Sequence, residues 1–223
     1  DWSSDVCSSD LSYQPVAIQR MLDFDYVCGR ETPSIEFAID PRKTKDSLDK
    51  FFWGGETILI PVYNNLELAL KKHNTVELVV NFSSFRTAYS STMELMEYPQ
   101  LKCITIIAEG IPERFARIIQ KTSSDKGVLI IGPATVGGIK PGCLRIGNTC
   151  GSISNIIDSK LFRPGNVGFV TRSGGMLNEL CNIISKTTNG VYQGISIGGD
   201  RHPGSQFIQH ILNYEKDEIG RAH

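Results

Sequence analysis

A turn of one serine and two glycines joins an apolar run to an amphipathic segment late in this chain. Residues 166–170 are typical of a short buried strand, and apolar residues recur at helical spacing from Met176 onward. Ser173 occupies a helix N-cap position, and Gly174 and Gly175 leave the first helical amides uncovered. These amides and the positive end of the helix dipole suit a phosphoryl group or a carboxylate. Because such turns also arise from packing, the motif alone leaves both interpretations open.

A second candidate is the loop that follows the predicted strand 76–80. It carries Ser83, Ser84 and Arg86 within the sequence NFSSFRTAYSS. Backbone amides, hydroxyl groups and a guanidinium together suit a phosphate ester. Composition alone slightly favours the other interpretation, a solvated loop.

Glu109 directly follows a third predicted strand, residues 103–108. A half-desolvated carboxylate at the end of a strand can act as a general acid or base, or can orient a cation. The alternative is an exposed acid that favours the start of the next helix through its charge. The chemistry of the residue does not decide between the two.

Two glycine-rich loops also follow predicted strands. Residues 132–142, GPATVGGIKPG, let backbone amides approach a ligand closely, but they match neither GxGxxG nor GxxxxGK[ST]. Nucleotide binding in its usual forms is therefore not indicated. Residues 196–205, SIGGDRHPGS, offer Asp200 as a candidate cap or ligand, and His202 is interpreted as incidental.

Regular alternation of elements predicts the scaffold of these loops. Continuous apolar strands such as ITIIA and VLII alternate with helical patterns, which indicates an α/β fold with a parallel sheet covered by helices on both faces. Ligands of such sheets bind beyond the carboxyl ends of the strands. Residues 40–50 are predicted to be a charged connection. The strand pattern restarts at residue 164, so we predict domains at 12–163 and 164–216, the second cut short because it holds only two predicted strands.

Composition excludes several classes of protein. A net charge of −1 without a basic cluster on one predicted face argues against a nucleic-acid partner, and no apolar run is long enough for a membrane span. Six cysteines without a CxxC pair are interpreted as reduced thiols of a cytosolic protein. No metal site is predicted, and His73 and His210, which lie on helix patterns, are interpreted as surface residues.

Both ends differ from the rest of the chain. SSDVCSSDL near the start and DEIGRAH at the end resemble translated sequencing-adapter text and lack the periodicity of their neighbours. We therefore leave residues 1–11 and 217–223 out of the predicted fold as an artefactual leader and tail. The remainder is expected to be an internal fragment of a longer protein.

A series of motifs, in one order, resembles the ATP-citrate lyase (ATP-citrate synthase) family over about residues 16–214. They match the region of that family that is similar to the succinyl-CoA synthetase α-subunit. The motifs are LDFDYVC, AEGIP, IGPATVGGIKPG, RSGGM, NIIS, GVY and IGGDRHPGS. Several long motifs in one order are more specific than any one of them.

The resemblance implies a CoA-binding Rossmann-like domain followed by a truncated flavodoxin-like ligase domain. In this family ATP phosphorylates a histidine, the phosphoryl group passes to citrate, CoA displaces it to give citryl-CoA, and cleavage yields acetyl-CoA and oxaloacetate. The resemblance also implies CoA as cofactor, citrate as substrate, ATP and Mg sites largely outside this chain, and a cytoplasmic homo-oligomer that serves acetyl-CoA and lipid biosynthesis.

The resemblance also implies roles for individual residues. The turn 173–175 would receive the phosphorylated histidine, and Glu109 would face that histidine as a catalytic residue. Ser84 and Arg86 would contact CoA.

This chain departs from the family pattern at three places. The family's phosphohistidine lies C-terminal to all residues here, so the fragment is expected to be inactive although it can bind CoA. A glycine-containing turn after the first predicted strand is replaced by residues 40–43, where Arg42 and Lys43 are expected to supply charge instead. Cys150 stands where a glycine is usual. Two alternatives remain open, a succinyl-CoA synthetase α-like ligase and a non-catalytic CoA-binding module.

Overall fold

The computed structural model describes residues 8–216, with side chains from residue 11 onward. The strands in this range are β1 (Ser8–Leu11), β2 (Ile35–Ile39), β3 (Ser47–Trp53), β4 (Glu56–Tyr63), β5 (Leu78–Asn81), β6 (Cys103–Ile106), β7 (Leu129–Ile131), β8 (Gly138–Lys140), β9 (Leu144–Arg145), β10 (Val167–Thr171) and β11 (Val191–Ser196). The helices are α1 (Pro15–Val27), α2 (Leu66–Lys72), α3 (Ala88–Leu95), α4 (Glu113–Lys126), α5 (Ile153–Asp158), α6 (Gly174–Thr187) and α7 (Phe207–Lys216).

Seven strands form the first sheet, in the order β3-β4-β2-β1-β5-β6-β7. Every neighbouring pair is parallel except β3 and β4. The residues of β5 and β6 are all buried, as expected for central strands covered on both faces. The predicted α/β class with a parallel sheet is confirmed.

The structure corrects the treatment of the first residues. The predicted fold omits residues 8–11, but they form β1 in the middle of the sheet, parallel to both β2 and β5. A strand position is held by backbone N–H and C=O groups, which do not depend on apolar periodicity. Residues 1–7 and 217–223 lie outside the described residues, and the artefactual origin of both ends stays a prediction.

Two further segments differ from the prediction. The charged connection 40–50 ends in β3, which pairs with β4 in an antiparallel hairpin. The exposed face of β3 carries Leu48, Lys50 and Phe52. Asp49 on the other face is paired with Lys43, so its charge is compatible with strand pairing. No helix is predicted at residues 15–27, but they form α1, because Ile18, Met21 and Leu22 pack their shared face into the core.

The second sheet has the order β10-β11-β8-β9. Strands β10 and β11 are parallel, whereas β8 pairs antiparallel with both β11 and β9. Strands β8 and β9 come from residues 138–145, before the domain boundary predicted at residue 164. That boundary falls in the loop before β10 and stays a prediction. With β8 and β9 the sheet has four strands rather than the two predicted.

The interpretation of His210 as a surface residue is wrong. The side chain is 1% exposed, and its Nε2 lies 2.8 Å from Ser205 Oγ. The helical spacing correctly predicts a helix at this position, but it does not predict that the His210 side chain is buried. His73 is half-buried after α2, with Nδ1 2.7 Å from Glu36 Oε2.

Candidate functional site

A cleft of about 770 Å³ opens at the carboxyl ends of β1, β2 and β5. Ligands of parallel sheets bind at this end. Most of its lining groups are uncharged and polar. The hydroxyl-bearing residues on its wall are Ser12, Ser83, Ser84, Thr87, Ser90 and Ser91. The cleft therefore offers many hydrogen-bond donors and acceptors to an elongated polar ligand.

The loop after β5 is held by one buried amide side chain. Asn81 accepts a hydrogen bond from the Ser83 backbone at 2.9 Å and donates to the hydroxyls of Ser91 and Thr92 on α3. The Ser84 carbonyl accepts from the first backbone amide of α3 at 2.8 Å. Ser84 is exposed on the cleft wall as a result.

Arg86 lies beyond this wall rather than on it. It is exposed, and its guanidinium carbon lies 5.5 Å from the centroid of the Phe85 ring. Of the two predicted CoA contacts, the described part of the cleft thus includes Ser84 but not Arg86. Arg86 directly precedes Thr87 of the wall, so its long flexible side chain can still reach a ligand that projects from the cleft.

The turn after β2 forms another part of the cleft and uses its positive charges internally. Arg42 binds the Asp40 carboxylate through two nitrogens, at 2.8 and 3.2 Å, and these hydrogen bonds hold the pKa of Asp40 below its usual range. Lys43 Nζ lies 2.6 Å from Ser47 Oγ and 3.1 Å from the Asp49 carboxylate. Both cations expected to supply charge to a ligand are therefore already paired with acids.

Three glycine-containing loops meet beside β7, β10 and β11. They are residues 132–137, 171–175 and 197–200. The amide of Gly199 donates to the Ala134 carbonyl at 3.0 Å, and Thr135 donates to the Ser196 carbonyl at 2.5 Å. An added Cβ at Gly198 would come within 2.0 Å of the Pro133 oxygen, so only glycine permits this approach.

The start of α6 projects from this meeting point. Ser173 is its N-cap, and the Ser173 hydroxyl accepts from the Met176 amide at 3.4 Å, which confirms the predicted cap. Ser173 and Gly175 are exposed, so the helix start is open to solvent. Gly174 is half-buried instead, and a Cβ there would lie 2.6 Å from a methyl carbon of Val136. The two glycines thus have different surroundings.

Arg172 fixes the position of this turn, a role that sequence reasoning missed. Its guanidinium donates to the carbonyls of Gly198, Gly199 and Asp200, which joins the turn to the loop after β11. The Arg172 carbonyl accepts from Ser196 at 3.3 Å. The RSGGM motif contains Arg172, but its hydrogen-bond partners are distant in sequence, so the motif does not reveal this role. Asp200 Oδ2 is buried without a hydrogen-bond partner in the described structure.

Glu109 lies in the loop between β6 and α4 and is exposed. Its neighbour Ala108 accepts a hydrogen bond from the Ala134 amide at 2.7 Å. Glu109 therefore directly follows a residue that is hydrogen-bonded to the loop 132–137. Val136 of that loop packs against the start of α6. The half-desolvated setting expected for its carboxylate is absent in the described structure.

His202, interpreted as incidental, contacts the first residue of α4. Its Nε2 lies 3.3 Å from the Glu113 carboxylate. Among residues 8–216 no group of three or more His, Cys, Asp and Glu side chains could hold a metal ion. The same residues contain no helix long and apolar enough to cross a membrane.

The chain is similar to a family model and to proteins of known type. Residues 170–221 match a family model described as CoA-ligase. The chain is 58% identical over 216 residues to the probable ATP-citrate synthase subunit 1 of Schizosaccharomyces pombe, which covers 97% of this chain and 35% of the relative. It is also 58% identical over 202 residues to ATP-citrate synthase of Homo sapiens, covering 91% of this chain and 18% of the relative.

The solved structure of ATP citrate lyase from Methanothrix soehngenii, in complex with citrate and coenzyme A, superimposes with a TM-score of 0.95 at 48% identity. That match covers 97% of this chain and 35% of the other. The chain matches a segment of ATP-citrate synthase. The resemblance expected from the motifs is confirmed, and it is favoured over the succinyl-CoA synthetase α-like alternative. The chain spans about a third of the length of these microbial ATP-citrate synthase relatives, and less of the human one.

Proposed function

We propose that this chain is the CoA-binding and phosphoryl-receiving part of an enzyme of ATP-citrate lyase type. The whole enzyme would form acetyl-CoA and oxaloacetate from citrate, CoA and ATP. The observation that carries the proposal is the 97% coverage of this chain by a solved ATP citrate lyase that binds citrate and coenzyme A.

The cleft at the end of the first sheet is the proposed CoA site. Its hydroxyl groups can bind phosphate oxygens and the polar groups of the pantetheine arm. Asp40 would repel phosphates, but its ion pair with Arg42 reduces that repulsion. Ser84 is the proposed contact on the wall, and Arg86 the proposed contact to a phosphate outside it.

The open start of α6 is the proposed seat for a phosphorylated histidine. The amides of Gly174 and Gly175 have no intrahelical partner, because a helix leaves its first N–H groups unpaired. The Arg172 contacts hold the turn in place, which reduces the reorganisation needed when an anion binds.

Glu109 is the proposed catalytic carboxylate. Support comes from its sequence neighbours, since the loop that carries it is hydrogen-bonded to the loop against which α6 begins. An exposed carboxylate at this position can accept a hydrogen bond from the imidazole N–H of an incoming phosphohistidine and so orient it, once that group covers it.

The rest of the enzyme would supply what this chain lacks. ATP and Mg would bind elsewhere, and the whole protein would be a cytoplasmic homo-oligomer in acetyl-CoA and lipid biosynthesis. Because the proposed phosphohistidine belongs to another segment, we expect no ATP-dependent citrate cleavage by this chain alone. An acetyl-CoA assay above a buffer control would contradict that expectation.

Calorimetric titration of the 223-residue chain with CoA tests the proposed site. Pantetheine, which lacks the nucleotide and its phosphates, is the matched ligand. We expect saturable binding of CoA and weaker binding of pantetheine, since the phosphate contacts are lost. No saturable heat with CoA up to millimolar concentrations would contradict the proposal.

A further inference from the structure

Two buried thiols lie in contact where the loop after β9 meets α6. Cys150 Sγ is 3.1 Å from Cys181 Sγ. Cys150 is 4% exposed and Cys181 is 1% exposed. Cys181 lies on the buried face of α6 together with Leu177. The two residues are 31 positions apart in sequence, so tertiary structure alone brings them together.

A second contact fixes the geometry of this pair. The Cys150 backbone amide donates to Asn178 Oδ1 at 2.8 Å, and Asn178 lies on α6 one turn before Cys181. Cys150 has a φ of 63°, in the left-handed region that favours glycine. The loop thus presents the Cys150 side chain to α6 despite an unfavourable backbone conformation. A disulfide needs a sulfur separation of about 2.05 Å, so a movement of about 1 Å would join the two.

Cys28 and Cys103 are less suited to oxidation. Burial raises the pKa of Cys28 to about 12 and that of Cys103 to about 12, which leaves little of the reactive thiolate at neutral pH. The hydrogen bond from Cys150 and burial also raise the pKa of Cys181. We therefore assign Cys181, on the buried face of α6, as the resolving partner, and Cys150, on the loop, as the thiol that first attacks an oxidant.

The surroundings of Cys150 support this order. The buried Arg145 guanidinium donates to the carbonyl of Gly151, the residue after Cys150. A guanidinium close to a thiol stabilises the anion that attacks a peroxide. Gly151 is half-buried and Ser152 exposed, so the thiol lies just beneath the surface at the end of a loop.

We propose that Cys150 and Cys181 form a reversible oxidation site whose oxidant is a hydroperoxide. The Cys150 sulfur attacks the distal peroxide oxygen and breaks the O–O bond, which gives a sulfenic acid and releases an alcohol or water. The Cys181 sulfur then attacks the sulfenic sulfur, its proton leaves with the hydroxyl as water, and a disulfide remains. Two thiols are oxidised by two electrons and one hydroperoxide is reduced by two.

The disulfide would tie the loop after β9 to the middle of α6. It would restrict movement of that helix relative to the second sheet, and the proposed phosphoryl seat lies at the helix start. The oxidation site itself does not depend on the proposed function, because it rests only on the two thiols and their contacts.

Peptide mapping by mass spectrometry of the folded chain after hydroperoxide treatment tests the proposal. We expect a peptide that links Cys150 to Cys181, with the loss of two hydrogen atoms, which a thiol reductant reverses. Cys150→Gly should remain folded, since glycine suits the backbone there, and should abolish the linked peptide. Cys103→Ala removes a buried thiol elsewhere and should leave the linked peptide unchanged.

A second variant traps the intermediate. Cys181→Ala removes the resolving thiol, so a sulfenic-acid reagent should label Cys150 in this variant several-fold more than in the unmodified chain. Oxidation of the exposed Met176 shows that the oxidant is active. Cross-linking of Cys28 to Cys143 in place of the proposed pair, or intact Cys150 and Cys181 under conditions that oxidise Met176, would overturn the proposal.

Discussion

The two adjacent glycines at the start of α6 have separate roles. Gly174 is packed against Val136, whereas Gly175 has open space, with the Ser173 hydroxyl 3.8 Å from the position of an added Cβ. The sequence predicts that both residues leave amides uncovered. It does not predict the packing of Gly174, because Val136 is distant in sequence and its direction depends on how the loop folds.

The glycine pair gives a matched prediction on stability. Gly174→Ala should lower the free energy of unfolding by about 1–3 kcal/mol, because the new methyl overlaps a stiff β-branched side chain. Gly175→Ala should change it by about 1 kcal/mol or less, and in the stabilising direction, since alanine is the better helix former. Urea unfolding of both variants measures the difference. Equal losses in the two variants would rule out the packing role of Gly174.

Arg86 gives a residue-scale prediction on CoA affinity. Its guanidinium lies over Phe85 outside the cleft wall, where it can reach a phosphate that projects into solvent. Arg86→Ala should weaken CoA binding by about 1–3 kcal/mol, as expected for the loss of one charge-assisted contact. Arg163→Ala is the control, because Arg163 is exposed in the loop before β10. Unchanged affinity of the Arg86 variant in calorimetry would remove its proposed role.

At the scale of single elements, α1 and α7 each carry a buried titratable residue that is hydrogen-bonded to a serine outside the helix. Asp25 on α1 is 0% exposed and accepts from the backbone amide and hydroxyl of Ser34, each at 2.7 Å. His210 on α7 contacts Ser205. Burial raises the pKa of Asp25 to about 6, against the opposing effect of the Ser34 hydrogen bonds, and burial lowers the pKa of His210 to about 4.

These two shifts act on stability in opposite directions. Asp25 contributes fully to folding stability below pH 3.8, which is the pKa of its carboxyl group in the unfolded chain. This contribution is lost as the pH rises through the folded-state pKa of about 6. The contribution of His210 is present above pH 6.5 and is lost as the pH falls through about 4. Each amounts to about 3 kcal/mol, so they largely cancel between pH 4 and 6.

Single substitutions should separate the two effects of pH on stability. In Asp25→Asn, the urea concentration at the unfolding midpoint is expected to increase as the pH rises from 4 to 6.5, since only the effect of His210 remains. In His210→Gln, it is expected to fall over the same interval. Each replacement keeps a hydrogen-bonding group toward its serine partner. If both variants followed the profile of the unmodified chain, neither buried group would control the pH dependence.

Elements with strong periodicity were predictable from sequence, and those defined by distant partners were not. The strands that contain Leu78, Cys103, Leu129 and Val167 occur close to their predicted positions. Strands β8 and β9 were missed because glycine and proline dominate residues 132–142, and their pairing depends on β11. Strand β1 was missed because its residues have no apolar pattern, although their backbone completes the sheet.

At the scale of the whole molecule, the candidate site depends on strand order. The sequence predicts that loops 81–89 and 171–175 lie at carboxyl ends of strands, but not that they serve different sheets. The seven-stranded sheet carries the cleft, and the four-stranded sheet carries α6. Arg172 joins loops from β10 and β11, which become neighbours only when these strands pair. Strand pairing is a long-range property that local patterns leave undetermined.

The start of α6 is the proposed seat for a phosphorylated histidine. The most direct test is titration of the ¹⁵N-labelled chain with a short peptide that contains phosphohistidine, with the unphosphorylated peptide as control. We expect saturable shifts of the Gly174 and Gly175 amide resonances, larger than those of amides in the last turns of α6, which are hydrogen-bonded within the helix. Shifts that are absent, or equal with both peptides, would contradict this proposal.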